Sequence, residues 1–184
     1  KHVSPTTAEH VAAQLADRIA GIVDGGPCSV GVESAIISLA GDVPTVLRPG
    51  AITPEMFKAV LGEVAVKEST SKPGQAMQAP GQCDTHYRPQ VPLYFGEVPA
   101  GYKLPEHTAR IAFGNQAGAI PATVNLSATG DMTEATARLY AYMHDLDTPN
   151  YDLILVDPIP NKGIGIALND RLKRASIKTL PLTD

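Results

Sequence analysis

The chain has 184 residues, 43 % of them hydrophobic and 18 % charged, with a net charge of −4. That is enough to bury a core in one or two domains, it is too apolar for disorder, and the negative balance excludes any global attraction to nucleic acid, so an RNA contact would need a local basic patch. No apolar run approaches the roughly 18 residues of a membrane span, no secretory signal is legible in the opening residues, and Cys28 and Cys83 are too few for a disulfide framework, so the expectation is a cytoplasmic protein with no membrane association.

The opening at Lys1, without Met and directly ahead of a helix, gives the expectation of a piece of a longer chain. Thr6 and Glu9 have the spacing of a capping box. Val11, Leu15, Ile19 and Val23 then recur every four residues, which predicts one amphipathic helix stopped by Gly25-Gly26. Ala35 to Leu39 is a short β-branched run, Ala40-Gly41-Asp42 is turn chemistry, and Thr45 to Arg48 returns as a second strand. Thr53-Pro54-Glu55 starts a helix, with Thr as N-cap and Pro at the first helical position, and Gly62 ends it. Val64 to Val66 is one more short strand.

From Lys67 to Gln90 periodicity is lost and Ser, Pro, Gly and Gln dominate, as in a linker or a long functional loop. Val91 to Phe95, Arg110 to Phe113, Thr123 to Leu126 and Leu153 to Asp157 are predicted strands. Asp131 with Glu134 caps a helix carrying Ala135, Leu139 and Met143 on one stripe, and a last helix runs from about Ile164 to Ala175. This alternation implies α/β architecture with a mainly parallel sheet. The expected division is 1–66, a linker at 67–90, and a small Rossmann-like domain at 91–184.

Four residues stand in turn-rich stretches suited to an anion or nucleotide: Ser4, Ser34, Arg48 and Tyr87. If the hairpin turn centres on Gly41, Ser34 and Arg48 face each other across the strands, roughly 5 Å apart at Cβ. An Arg fork suits phosphate or carboxylate; a solvated Arg at a hairpin end is the competing reading. The Gly25–Gly31 loop lacks the Walker spacing and its Lys, so a plain connection is favoured over a phosphate loop. Cys83 and His86 have a ligand-like spacing without a second pair, so no metal site is expected. Cys28 has no adjacent base. Gly163-Ile164-Gly165 opens a helix after a strand, but Leu168 stands where a dinucleotide loop needs its third Gly. Asn169-Asp170-Arg171-Leu172 reads as a mixed polar helix face, and Glu33 as a hydrogen-bond partner at a strand end.

At these residues the chain resembles the L-threonylcarbamoyladenylate synthases, the YrdC-like family, in their two-domain form. The matching stretches are Ser4-Pro5-Thr6-Thr7-Ala8-Glu9-His10-Val11, Asp24-Gly25-Gly26-Pro27, Gly31-Val32-Glu33-Ser34, Leu47-Arg48-Pro49-Gly50-Ala51-Ile52-Thr53, and Ala79-Pro80-Gly81 leading to His86-Tyr87. Further on, Asn125-Leu126-Ser127, Leu155-Val156-Asp157 and Asn169-Asp170-Arg171-Leu172 match as well. The resemblance implies synthesis of threonylcarbamoyl-AMP from L-threonine, bicarbonate and ATP, with release of pyrophosphate, for tRNA threonylcarbamoyladenosine modification. It implies that Ser4, Arg48 and Tyr87 contact ATP, that Ser34 contacts L-threonine, and that Mg²⁺ accompanies the nucleotide. Residues 1–66 would then be the C-terminal part of the YrdC-like domain, and the linker a lid over its pocket.

The chain departs from the family pattern at Ala35, where a Thr is usual, and in Gly81-Gln82-Cys83-Asp84-Thr85-His86-Tyr87-Arg88-Pro89, where Arg88 adds a charge expected near the nucleotide. The family's Lys/Arg-containing nucleotide motif and its Ser-x-Asn motif would lie upstream of Lys1, so the 184-residue stretch alone is expected to be inactive. The product would pass to the tRNA threonylcarbamoyl transfer machinery, with direct tRNA contact as a further expected interaction. The alternative reading is a non-catalytic nucleotide- or tRNA-binding module formed by Val91 to Asp184.

Overall fold

The run Leu153-Ile154-Leu155-Val156 is buried at every position, as a strand covered on both faces of a parallel sheet requires. In the computed structural model, which describes residues 2–67, 78–81, 85–115 and 117–181, this run is β7. It lies within a sheet formed with β4 (Leu93–Phe95), β5 (Thr108–Ala112) and β6 (Val124–Asn125) in the order β4-β7-β5-β6. Every neighbouring pair is parallel, with Leu93 opposite Ile154 and Ile111 opposite both Val156 and Val124.

Two helices cover this sheet, α3 (Met132–Asp145) and α4 (Gly165–Ala175). The predicted stripe Ala135, Leu139 and Met143 is buried, and it shares one core with Leu168, Leu172 and Ala175 of α4 and with Leu93, Ile111, Ile154 and Val156 of the sheet. The Asp131 carboxylate caps α3 by accepting from the N–H groups of Thr133 and Glu134 at 2.8 Å, worth about 1 kcal/mol.

The smaller sheet is β1 (Ile36–Ser38), β2 (Thr45–Arg48) and β3 (Ala65–Val66), antiparallel and then parallel. Between its second and third strands, Thr53 caps α2 (Pro54–Leu61) and Gly62 ends it, as the Thr-Pro-Glu signal predicts. The hairpin register differs from the expected one. An irregularity between Ile36 and Ile37 sets Arg48 opposite Ile36, not opposite Ser34.

The first helix is shorter than its periodicity predicts. α1 spans Ala8–Leu15, is capped by Thr7 in place of Thr6, and is followed by a single 3₁₀ turn at Ala16–Arg18. Leu15 and Ile19 are each 38 % exposed and Val23 is 99 % exposed. Among the described residues the stripe is covered only in part and not at all at Val23, and a helix of this length holds only where packing supports it. The polar face expected at Asn169–Arg171 is also corrected, since Asn169, Asp170, Arg171 and Arg174 are all buried. Cys83, with the parts of the expected linker at 68–77 and 82–84, lies outside the described residues.

Candidate functional site

The hairpin brings its two motif stretches together at their backbones. A Cβ on Gly50 would stand 2.2 Å from the Ala35 nitrogen and 2.7 Å from the Ser34 carbonyl carbon, so glycine alone permits this approach. Arg48, two positions earlier, then lies along the Ser34 segment. Its Nε donates to the Ser34 carbonyl at 3.1 Å, its Nη2 lies 3.5 Å from Ser34 Oγ, and its Nη1 donates to the Pro80 carbonyl at 3.2 Å. The Ser34–Arg48 pair expected from spacing is therefore present, reached through the long side chain instead of through strand register.

Ser4 joins the group through Glu33. Its hydroxyl donates to Glu33 Oε1, and the Tyr140 hydroxyl donates to Oε2 of the same carboxylate at 3.2 Å. From α4, Arg171 Nε donates to Glu33 Oε2 at 2.8 Å. Burial by itself would raise the pKa of Glu33, but the Ser4 and Arg171 hydrogen bonds and the Arg171 charge outweigh it, so the carboxyl sits below its ordinary range. Burial and the neighbouring carboxylate push the Tyr140 phenol strongly upward, so it stays a donor.

Arg171 is 1 % exposed. Its remaining nitrogens donate to Asp170 Oδ2 at 2.6 Å and to the Pro49 carbonyl at 3.0 Å. Asp170 in turn accepts from Arg174 Nε at 3.1 Å. A buried cation needs such complete pairing, because an unpaired one would be expelled or neutralised.

Tyr87 closes the cluster from the segment that precedes β4. It is 1 % exposed, with the Arg171 guanidinium 5.4 Å from its ring centroid and the Tyr140 ring at 5.7 Å. It holds φ at +58°, rare for a residue with a Cβ and typical of sites whose surroundings over-determine the backbone. Gly81 separates it from Arg48: a Cβ there would meet Tyr87 Oη at 2.4 Å and Arg48 Nη1 at 3.5 Å. The flanking residues are fastened to the end of α4. The His86 N–H donates to the Arg174 carbonyl at 3.2 Å, and Arg88 donates to the carbonyls of Ala175 at 3.3 Å and Ser176 at 2.9 Å. Arg88 thus caps the carbonyl end of a helix, where the dipole favours a cation, and does not turn its charge toward the site as the sequence led one to expect.

All four candidate residues therefore converge, and a cavity of about 200 Å³ opens beside Ser4, Gly31, Glu33 and Tyr140. Gly31 serves packing: a Cβ there would lie 2.4 Å from the Thr136 carbonyl oxygen of α3. Gly165 does likewise against Pro160. Cys28 is exposed. Among the described residues no three His, Cys, Asp or Glu side chains converge to hold a metal ion. Arg171 and Tyr140 are the participants that sequence reasoning missed. The legible signal was opposite charges at Asp170, Arg171 and Arg174 on a helix otherwise rich in core residues.

Comparison with known proteins fits this geometry. Residues 52–176 match the model of the threonylcarbamoyl-AMP synthase C-terminal domain, and residues 1–50 match one described as telomere recombination. The threonylcarbamoyl-AMP synthase of Bacillus subtilis (strain 168) is 34 % identical over 94 % of this chain and 53 % of its own length. That of Pyrococcus abyssi (strain GE5 / Orsay) is 33 % identical over 94 % and 54 %. The crystal structure of P. abyssi Sua5 complexed with L-threonine superposes with a TM-score of 0.80 at 29 % identity, covering 95 % of this chain and 54 % of that one. The chain thus spans about half the length of the curated relatives it matches.

Proposed function

The chain belongs to the threonylcarbamoyl-AMP synthase family, and from that premise we propose that the full-length protein makes threonylcarbamoyl-AMP from L-threonine, bicarbonate and ATP. The threonine amine and bicarbonate form a carbamate with loss of water. A carbamate oxygen then attacks the α-phosphorus, the bond to the bridging oxygen breaks, and pyrophosphate leaves with the electron pair. Such a nucleotidyl transfer needs alignment and charge neutralisation more than a protein nucleophile.

Arg48 is the cation for the phosphates, with Ser4 and Tyr87 as further ATP contacts, and Ser34 holds L-threonine. The observation that carries this reading is the direct contact of Arg48 with Ser34, through both its backbone oxygen and its hydroxyl. The groups assigned to nucleotide and amino acid are then neighbours, as a reaction joining the two demands. That the P. abyssi protein has been crystallised with L-threonine supports the amino-acid assignment. Mg²⁺ would accompany the nucleotide, held largely by phosphate oxygens and water, while Glu33 and Asp170 are engaged with guanidinium groups. The neutralisation attributed to this chain therefore falls on Arg48.

Residues 67–90 are the lid over the pocket, between a YrdC-like part at 1–66 and a Rossmann-like domain at 91–184. Closure would exclude water from a labile carbamate. The product would pass, in the cytoplasm, to the machinery that transfers the threonylcarbamoyl group to tRNA. The alternative reading of residues 91–184 as a non-catalytic nucleotide- or tRNA-binding or regulatory module fits less well, because Arg171 of α4 is buried against Glu33 and Pro49, beside the candidate site.

The test is pyrophosphate release by the full-length protein. Turnover that requires ATP, bicarbonate and L-threonine together is expected; no turnover with all three present rejects the reading.

A further inference from the structure

Each proposed ligand contact is one short step from a single guanidinium. Ser34 follows Glu33 in the chain, and Ser4 donates to Glu33; Arg171 binds that carboxylate. Arg48 precedes Pro49, whose carbonyl accepts from Arg171 Nη2. Tyr87 lies under the Arg171 guanidinium directly. The three segments come from distant parts of the chain, and Arg171 contacts all of them. Asp170 fixes the guanidinium plane from the adjacent position, and α4 is itself held rigid by the core residues Leu168, Leu172 and Ala175.

We infer that Arg171, on a helix of the C-terminal region, is a positioning residue of the proposed synthase site, setting the Glu33–Ser34, Arg48–Pro49 and Tyr87 segments relative to one another. This rests on the synthase reading above. The role requires the planar fork, because an ammonium cannot hold a carboxylate, a carbonyl and a ring face with fixed geometry. Arg171 is 1 % exposed, and its guanidinium nitrogens are engaged by Glu33, Asp170 and Pro49. It acts through the proposed ligand contacts, and a displacement of about 1 Å at such groups is worth on the order of a hundredfold in rate. The C-terminal region is thereby part of the site's architecture.

The experiment uses the full-length protein with Arg171→Lys, Arg171→Met and, as control, Arg138→Met, which removes an exposed pair with Glu134 on α3. Two readouts are taken: kcat with KM for ATP and for L-threonine, and hydrogen exchange of peptides covering 31–35, 47–50 and 85–89. In folded Arg171→Lys, both KM values should rise about tenfold or more while kcat falls on the order of a hundredfold, and exchange should quicken in all three peptides ahead of the sheet. Arg138→Met should match wild type in both readouts. Wild-type KM values with kcat lowered only in proportion to the folded fraction would overturn the inference, since a merely structural residue changes how much enzyme is active and not how it binds. Exchange quickened uniformly, or in α4 alone, would also overturn it. If Arg171→Met does not fold, Arg171→Lys decides. If wild type itself makes no pyrophosphate, the synthase reading fails, and the exchange measurement alone decides whether Arg171 fixes the three segments.

Discussion

Buried Arg171 and half-buried Glu33 form an ion pair across 138 positions of sequence, with Nε to Oε2 at 2.8 Å. The pair joins the segment before β1 to α4, so its protonation couples the two halves of the chain. Burial disfavours the ionised form of Glu33, but the hydrogen bonds from Ser4 and Arg171 and the charge of Arg171 outweigh it, so its pKa in the folded chain lies below the ordinary glutamate value. A carboxyl depressed on folding contributes stability that is fully present above the unfolded value and is lost as pH falls through the folded one. Thermal midpoints should therefore decline below about pH 4.5, and Glu33→Gln should flatten that decline. At pH 7, Glu33→Gln should destabilise by about 3 kcal/mol, because Arg171 remains buried with half its anionic partnership removed. Calorimetry of both proteins from pH 7 to pH 3 checks the sign and the size. An unchanged pH slope in Glu33→Gln would assign the acid sensitivity to another carboxyl.

Tyr87 separates packing from ligand contact. Its ring fills a position under Arg171 and beside Tyr140, so Tyr87→Ala should cost about 3 kcal/mol or more in stability. Tyr87→Phe keeps the ring and should leave thermal stability within about 1 kcal/mol. If the hydroxyl contacts ATP, Tyr87→Phe should raise KM for ATP several-fold, by about the 1 kcal/mol of one hydrogen bond, with KM for L-threonine unchanged. Steady-state kinetics of the folded Phe variant in the full-length protein is the measurement.

Arg48 is only half-buried and lies at the end of a hairpin, so its value should show in function more than in stability. Arg48→Lys retains charge and loses the fork that spans Ser34 and Pro80. Stability should change by less than about 1 kcal/mol, while KM for ATP rises about tenfold, as expected where a planar bidentate cation is replaced by a point charge. Equal losses for ATP and L-threonine would instead indicate that Arg48 chiefly orders the Ser34 segment.

The parts of the fold that were legible are those whose local chemistry agrees with the packing. The Asp131 cap, the Ala135/Leu139/Met143 stripe, the Thr53-Pro54 start and the buried Leu153–Val156 strand are each specified by a few neighbouring residues. The site was legible only as separate pieces. Ser34 and Arg48 were paired correctly, but through a register that an irregularity after Ile36 displaces. Arg171 was illegible because a charged residue on a helix reads as solvent-facing, and its burial depends on Glu33 and Pro49, more than a hundred positions away. The apolar repeat at Leu15, Ile19 and Val23 misled for the converse reason: periodicity reports a face able to pack, not whether a partner covers it.

The contact between Gly50 and the Ser34–Ala35 backbone is open to the sharpest test, because it involves no side chain of the site. A methyl group at position 50 would lie 2.2 Å from the Ala35 nitrogen, a distance that only backbone movement can relieve. Gly50→Ala should therefore push the Ser34 segment away from Arg48 and cost about 1–3 kcal/mol, with KM for L-threonine raised more than the loss of folded protein explains. Gly21→Ala is the matched control. A Cβ there has nothing within 4 Å, so its effect should stay within about 0.5 kcal/mol. Thermal melts and KM for L-threonine on both variants decide the matter. If Gly50→Ala behaves like Gly21→Ala, the close approach is not what holds Ser34 against Arg48, and the Arg48 and Arg171 side chains must suffice to hold it.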